Sequence, residues 1–301
     1  MASERRIKVW VGIGAWLLAS ASPVALTTDE AAAQSVQSPP PGKLAQANHA
    51  HGAMGGHAAH GMHGGEGGEG GEGGEGGEGG EGGEAGAFTD VSPDAAFAGR
   101  LLLMRAHLDV GRELYEADRP DDALPHYLHP VEEVYEDIEP ALAERNIKPF
   151  EADLKALADA VKSKRPKTDV AKEHDRVVGI IDGALARANL AAQPQAAASV
   201  ALILLRTAAD EYDAAIEDGR FANTVEYQDS RGFVTVASRI LRQHEKALRA
   251  KDAQAYAAMM KAVDGLVAAY PSVVPPEKPL LSAGQFSAGV SRAELQASRF
   301  E

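Results

Sequence analysis

From Phe88 onward the apolar residues recur at helical spacing. Phe97, Leu101, Met104, Leu108, Gly111 and Tyr115 follow one another at alternating steps of four and three, one stripe of an amphipathic helix. Ser92-Pro93-Asp94 supplies the start, Ser as cap and Pro in the first turn, and Arg119-Pro120-Asp121 supplies the end. Similar signals predict helices over residues 122–144, 149–163 and 169–189. After a break at 191–194, further helices are expected over 195–218, 223–250 and 252–269. Ser291 with Glu294 reads as a capping box opening a short final helix. Alternating strand patterns are almost absent, so the expected fold is all-α, a helical bundle.

The helices fall into two sets, residues 88–190 and 191–301. Placing Arg105 over Arg206 aligns Leu103-Met104-Arg105 with Leu204-Leu205-Arg206, and Tyr115–Arg119 with Ile216–Arg220. This suggests two related sets in tandem, either two bundles or one long bundle built from hairpin pairs. Chance likeness between amphipathic helices is the competing account.

Residues before Phe88 carry a different pattern. Arg5, Arg6 and Lys8 precede an apolar run over 9–20, and Ala31-Ala32-Ala33 offers a small-residue cleavage site before Gln34. That is the layout of a secretory signal peptide over 1–33, and it implies export to the periplasm; a retained anchor is the alternative. Residues 34–87 read as a disordered tether. His49, His51, His57, His60 and His63 mix with Met54 and Met62, and Glu then recurs every third residue from Glu66 to Glu84 between Gly-Gly pairs. Such imidazoles can collect Zn, Cu or Ni loosely, and the thioethers Cu(I); a plain solvated spacer is the other reading.

Composition narrows the chemistry. The chain has no Cys, which removes disulfides, thiolate metal sites and Cys nucleophiles. A net charge of −14 argues against nucleic acid and favours cations or basic partners. G-x-S-x-G, a Gly-rich phosphate loop and H-E-x-x-H are all missing, so an enzyme is not expected. The one hydrolytic route left is a metal-bound water with Glu132 or Glu133 as base.

The densest group of candidate ligands lies in residues 123–144. At about 100° per residue, Leu124, Leu128, Val131, Tyr135, Ile138 and Leu142 gather on one face. His126, His129 and Glu133 gather nearly opposite, with Glu132 on the flank. Two imidazoles and a carboxylate so placed can hold a transition-metal ion such as iron, zinc or copper. A water-facing helix surface carries the same residue types. Pro130 removes a helical hydrogen bond and frees the carbonyl of His126, which predicts a kink between the two histidines. His107 is a third imidazole if the first two helices pair antiparallel; otherwise it is a core histidine, as His174 and His244 are expected to be. Glu226 and Asp229 either complete the site from the second set or serve the first turn of their own helix.

Tyr135-Glu136-Asp137-Ile138-Glu139-Pro140-Ala141, followed by Glu144, resembles the Y-E-x-I-E-P run of imelysin-like helical proteins. The likeness is greatest to the periplasmic subunit of the bacterial ferrous-iron uptake system. Glu226–Asp229 with Phe233 is similar to an acidic–aromatic run in that family's second half, and the resemblance spans about residues 95–270. It implies a metal motif G-x-H-x-x-E. The nearest match, Tyr127-Leu128-His129-Pro130-Val131-Glu132, has Tyr for Gly and points to His129 and Glu132. The expected protein is therefore a periplasmic metal-binding protein of iron or other transition-metal uptake. Its ligands come from His107, His126, His129, Glu132 and Glu133, and its partners are the metal ion and an inner-membrane permease or other envelope protein. A metal-free envelope interaction module is the alternative.

Overall fold

The computed structural model describes residues 84–300. The predicted signal peptide and most of the tether, its five histidines included, lie outside the described residues. The described chain is all-α, apart from one short hairpin. Its helices are α1 (Pro93–Glu116), α2 (Pro120–His129), α3 (Tyr135–Glu144), α4 (Glu151–Lys162), α5 (Lys167–Arg187), α6 (Pro194–Ala214), α7 (Thr224–Gln243), α8 (Glu245–Val267) and α9 (Ala283–Ala297). Among the described residues, no helix is long and apolar enough to cross a membrane.

The packing repeats. α1 lies against α2, α2 against α4, α4 against α5, and α5 against α1, which closes a ring of four. α6, α7, α8 and α9 close a second ring in the same order. The two rings join where α1 meets α6 and α7, and one hydrophobic core runs through both. The α1–α7 crossing is close: a Cβ at Gly232 would stand 3.0 Å from a Val110 methyl and 3.1 Å from the Ala106 carbonyl oxygen. A side chain there would force Val110 or the α1 backbone to give by a few tenths of an ångström, so the glycine favours this close approach.

Several predicted boundaries shift for local reasons. Ser92 caps α1 as expected, accepting from the Ala95 amide at 3.3 Å. The segment predicted over 195–218 ends at Ala214, because Ile216–Glu217 and Arg220–Phe221 pair as a hairpin. Its turn is Asp218-Gly219, with φ of 50° and 73°, the left-handed pair that such two-residue loops require. The break expected at 251–252 exists, since Asp252 is non-helical and its carboxylate caps the Gln254 and Ala255 amides. A second break at His244 divides α7 from α8. The final helix begins earlier than predicted. Ser282 and Gln285 form the capping box, whereas Ser291 and Glu294 lie inside α9, where Glu294 pairs with Arg206.

The tether boundary also moves. Residues Glu84–Phe88 form a 3-10 helix, so the last four residues assigned to the tether belong to the fold. Phe88 is the anchor: its ring lies where a Gly99 side chain would project, and Arg100 Nε donates to the Ala85 carbonyl at 3.1 Å.

His174 is a core histidine, 2% exposed, with its ring edge-on to Tyr127. Burial, assisted by the positive charge of Arg112, lowers its pKa to about 4. Below its ordinary value the unfolded chain takes up a proton that the folded chain refuses, so folding stability falls as pH drops from about 6.5 to about 4. The contribution is on the order of 3 kcal/mol. His174→Leu should therefore narrow the gap between urea-unfolding free energies measured at pH 7 and pH 4.5.

Candidate metal centre

Three histidines and one aspartate meet where the rings join. His107 projects from the middle of α1, and Asp229 from α7, one turn before the Gly232 crossing. α2 folds back on α1 through a turn closed by Asp118, left-handed at φ 61°, and presents His126 and His129 to the same point. Asp229 Oδ1 lies 2.7 Å from His107 Nδ1 and 2.8 Å from His126 Nδ1. Asp229 Oδ2 lies 3.3 Å from His129 Nδ1. One ligand atom from each of the four residues falls within 4.8 Å of all the others. Phe233, one turn beyond Asp229, packs edge-on against His107 and walls the cluster.

The pairing within the cluster is incomplete. Asp229 Oδ2 and His129 Nδ1 are both buried, and neither makes a hydrogen bond. The two face each other at 3.3 Å, an ion-pair distance without hydrogen-bond geometry, and such a pair of buried polar atoms marks a place where a cation would satisfy both. The tautomer of His126 agrees. Gln228 Nε2 donates to the Val273 carbonyl at 3.2 Å, which turns Gln228 Oε1 toward His126 Nε2 at 2.8 Å. Nε2 of His126 is thus a donor to Gln228, and Nδ1, 2.8 Å from Asp229 Oδ1, gives up its proton when it coordinates. A histidine held through one ring nitrogen so that the other can coordinate is the usual outer-shell arrangement of metal sites. Three imidazoles and a carboxylate suit Zn, Fe(II) or Cu(II) better than Mg or Ca.

Electrostatics ties the groups together. Burial would lower the pKa of His107, but the carboxylates of Glu84 and Asp229 outweigh it and raise His107 well above the ordinary value. Burial would raise Asp229, but His126 and His107 outweigh it and hold the carboxyl well below its usual range. For His129, burial is again the opposing effect, and Asp229 overcomes it to raise the pKa.

Four of the five predicted ligands are brought together, and the fifth is not. His107, His126 and His129 are in the cluster, and Glu133 Oε1 stands 3.9 Å from His129 Nε2. Burial, with the negative charge of Glu84, pushes Glu133 up to about 7 against the pull of His129. Glu132 is exposed and takes no part, contrary to the expectation from the G-x-H-x-x-E match. The helix geometry accounts for this. Pro130–Val134 is a π-helical turn, in which each residue advances through a smaller angle than in an α-helix. Four residues then return nearly to the starting direction, which keeps Glu133 over His129, whereas three fall well short and swing Glu132 outward. Pro130 does perturb the helix, but after both histidines and not between them. The His face of α2 is not solvated either: α1 and α7 cover it, and His126 is fully buried.

Sequence reasoning missed three contributors. Glu84 Oε2 lies 2.8 Å from His107 Nε2, although Glu84 reads as the last glutamate of a spacer. Gln228 carried no signal of its own beside Asp229. Glu211 on α6 is half-buried beside Glu226; loss of solvent first, then Glu226 and the nearby Glu84, push it up to about 10. His244 has a structural role, with ring nitrogens near the Ile240 and Leu190 carbonyls. The large groove between α8 and α9, about 620 Å³, shares no residue with the cluster.

Residues 187–300 match the model of the iron permease-associated 4-helix bundle domain. The match covers the second ring, including Glu211, Gln228 and Asp229, and relates it to iron uptake. The histidines, Glu84 and Glu133 lie before it. No curated protein and no solved structure matches the chain.

Asp229→Asn tests how far the cluster depends on one charge. Removing the carboxylate leaves His107 and His126 without their shared acceptor, at a cost of about 3–5 kcal/mol in unfolding free energy. The His107 pKa, followed by NMR titration of the imidazole, should fall.

Proposed function

We propose that this chain is an exported periplasmic metal-binding protein serving an iron-uptake system, with His107, His126, His129 and Asp229 holding a transition-metal ion as cargo. The observation that carries the reading is the convergence of three imidazoles on a buried carboxylate whose Oδ2, together with His129 Nδ1, lacks a hydrogen-bond partner. The likeness of the second ring to an iron permease-associated domain supports iron as the physiological ion and a permease as the partner. The resemblance of residues 135–144 to the imelysin-like periplasmic subunit points the same way. In this reading the protein performs no chemistry on its ion.

The His-rich tail would confuse a titration, so the test uses the full chain with His49, His51, His57, His60 and His63 each replaced by Gln. Titrated with Fe(II) under anaerobic conditions, and with Zn(II), this chain should bind tightly. His126→Ala with His129→Ala, or Asp229→Asn alone, should abolish the binding. Binding no tighter than about millimolar would sink the reading and leave only the tail as a weak collector. Export has its own check: sequencing the N-terminus of the mature protein from the periplasmic fraction should begin at Gln34.

A further inference from the structure

His107 faces two ways, and the two sides differ. Its Nδ1 lies 2.7 Å from Asp229, whose side chain is 1% exposed. Its Nε2 lies 2.8 Å from Glu84, whose side chain is 12% exposed. On that second side Glu133, at 18% exposure, brings another carboxylate, and one ligand atom each of Glu84, His107 and Glu133 lies within 4.8 Å of the others. We propose that Glu84, Glu133 and Nε2 of His107 form a second, outer cation position beside the inner one, taking the same class of divalent transition-metal ion. The proposal rests on the inner cluster being a metal site.

The two positions can be filled together. With Nδ1–H donating to Asp229 Oδ1, the other nitrogen of His107 is oriented to coordinate, the carboxylate–histidine pairing that supports metal-binding imidazoles. The proton now shared between Nε2 and Glu84 leaves to solvent, and the freed lone pair takes the outer ion. When the outer position fills, His107 passes from the inner set of four ligands to the outer set. The inner position keeps His126 Nδ1, His129 Nδ1 and Asp229 Oδ2, the last two being the atoms without a hydrogen-bond partner. Two carboxylates and one imidazole make a harder donor set than the inner one, suited to Fe(II), Mn(II), Co(II) or Zn(II) and poor for Cu(I). The outer ligands are the more exposed, so the outer position lies on the solvent side. Glu84 also reaches it through a separate anchor, since the Phe88–Gly99 contact and the Arg100–Ala85 bond fix the segment independently of any metal.

Co(II) is the probe, because its visible absorption reports the ligand set. The full chain with the five tail histidines changed to Gln should take up two equivalents. The double variant Glu84→Gln, Glu133→Gln should lose the second equivalent and keep the first, with the spectrum the parent shows at one equivalent, which also shows that the variant folds. Uptake of only one equivalent by the parent chain, retained in the double variant, would overturn this inference and leave the inner site standing. Two equivalents that both survive would place the second ion elsewhere and overturn it as well. No uptake by the parent chain would overturn the inner site together with it.

Discussion

The buried carboxylate of Asp229 is the constraint on which the rest of this structure turns. Taking a carboxylate out of water costs several kcal/mol unless its oxygens are matched by positive or donor groups. Here the matching groups come from other helices: His107 on α1, and His126 and His129 on α2. Their mutual need draws α1, α2 and α7 to one point, and Gly232 lets α7 approach α1 closely enough for contacts of 2.7–2.8 Å. The join between the rings is thus both packed and charged. The apolar core alone would tolerate some sliding between helices, whereas a carboxylate held by imidazoles does not.

The repeated architecture explains why the site sits at the join. Each ring begins with a long helix hairpin, α1–α2 in the first and α6–α7 in the second, and the pairs pack against each other. The register that sets Arg105 over Arg206 also sets His107 over Ala208, His126 over Tyr227 and Leu128 over Asp229. Equivalent positions therefore do not share chemistry: the imidazoles come from one hairpin and the carboxylate from the other, at positions the register does not pair. Neither ring holds the whole cluster.

Electrostatic coupling extends outward from this centre through acidic groups. Glu84 joins the inner cluster to Glu133, and it also acts on Glu211, which is paired with Glu226. The carboxyl groups are so close that burial and mutual repulsion push Glu133 up to about 7 and Glu211 up to about 10. Burial and neighbouring negative charge thus favour the protonated form of both groups.

Local patterning along the chain suffices to place most helices and the face that carries His126, His129 and Glu133. Ser92, Pro93 and Pro120 have local effects on their own backbone, and the spacing of Phe97, Leu101, Met104 and Leu108 fixes which side of α1 packs inward; both are legible without tertiary contacts. The density of His126, His129 and Glu133 was legible for the same reason. A helical wheel gives the direction of each side chain, but not what covers it. The pairing of His107 with Asp229 spans 122 residues, and only the packing of α7 on α1 could choose between Asp229 as ligand and Asp229 as an ordinary first-turn acid. Glu84 looked like spacer because its partner lies on another helix. Glu132 looked like a ligand because an ideal α-helix does not contain the π turn at Pro130–Val134. Local backbone preference wrote the elements, and the burial of one carboxylate among distant imidazoles decided which of them make the site.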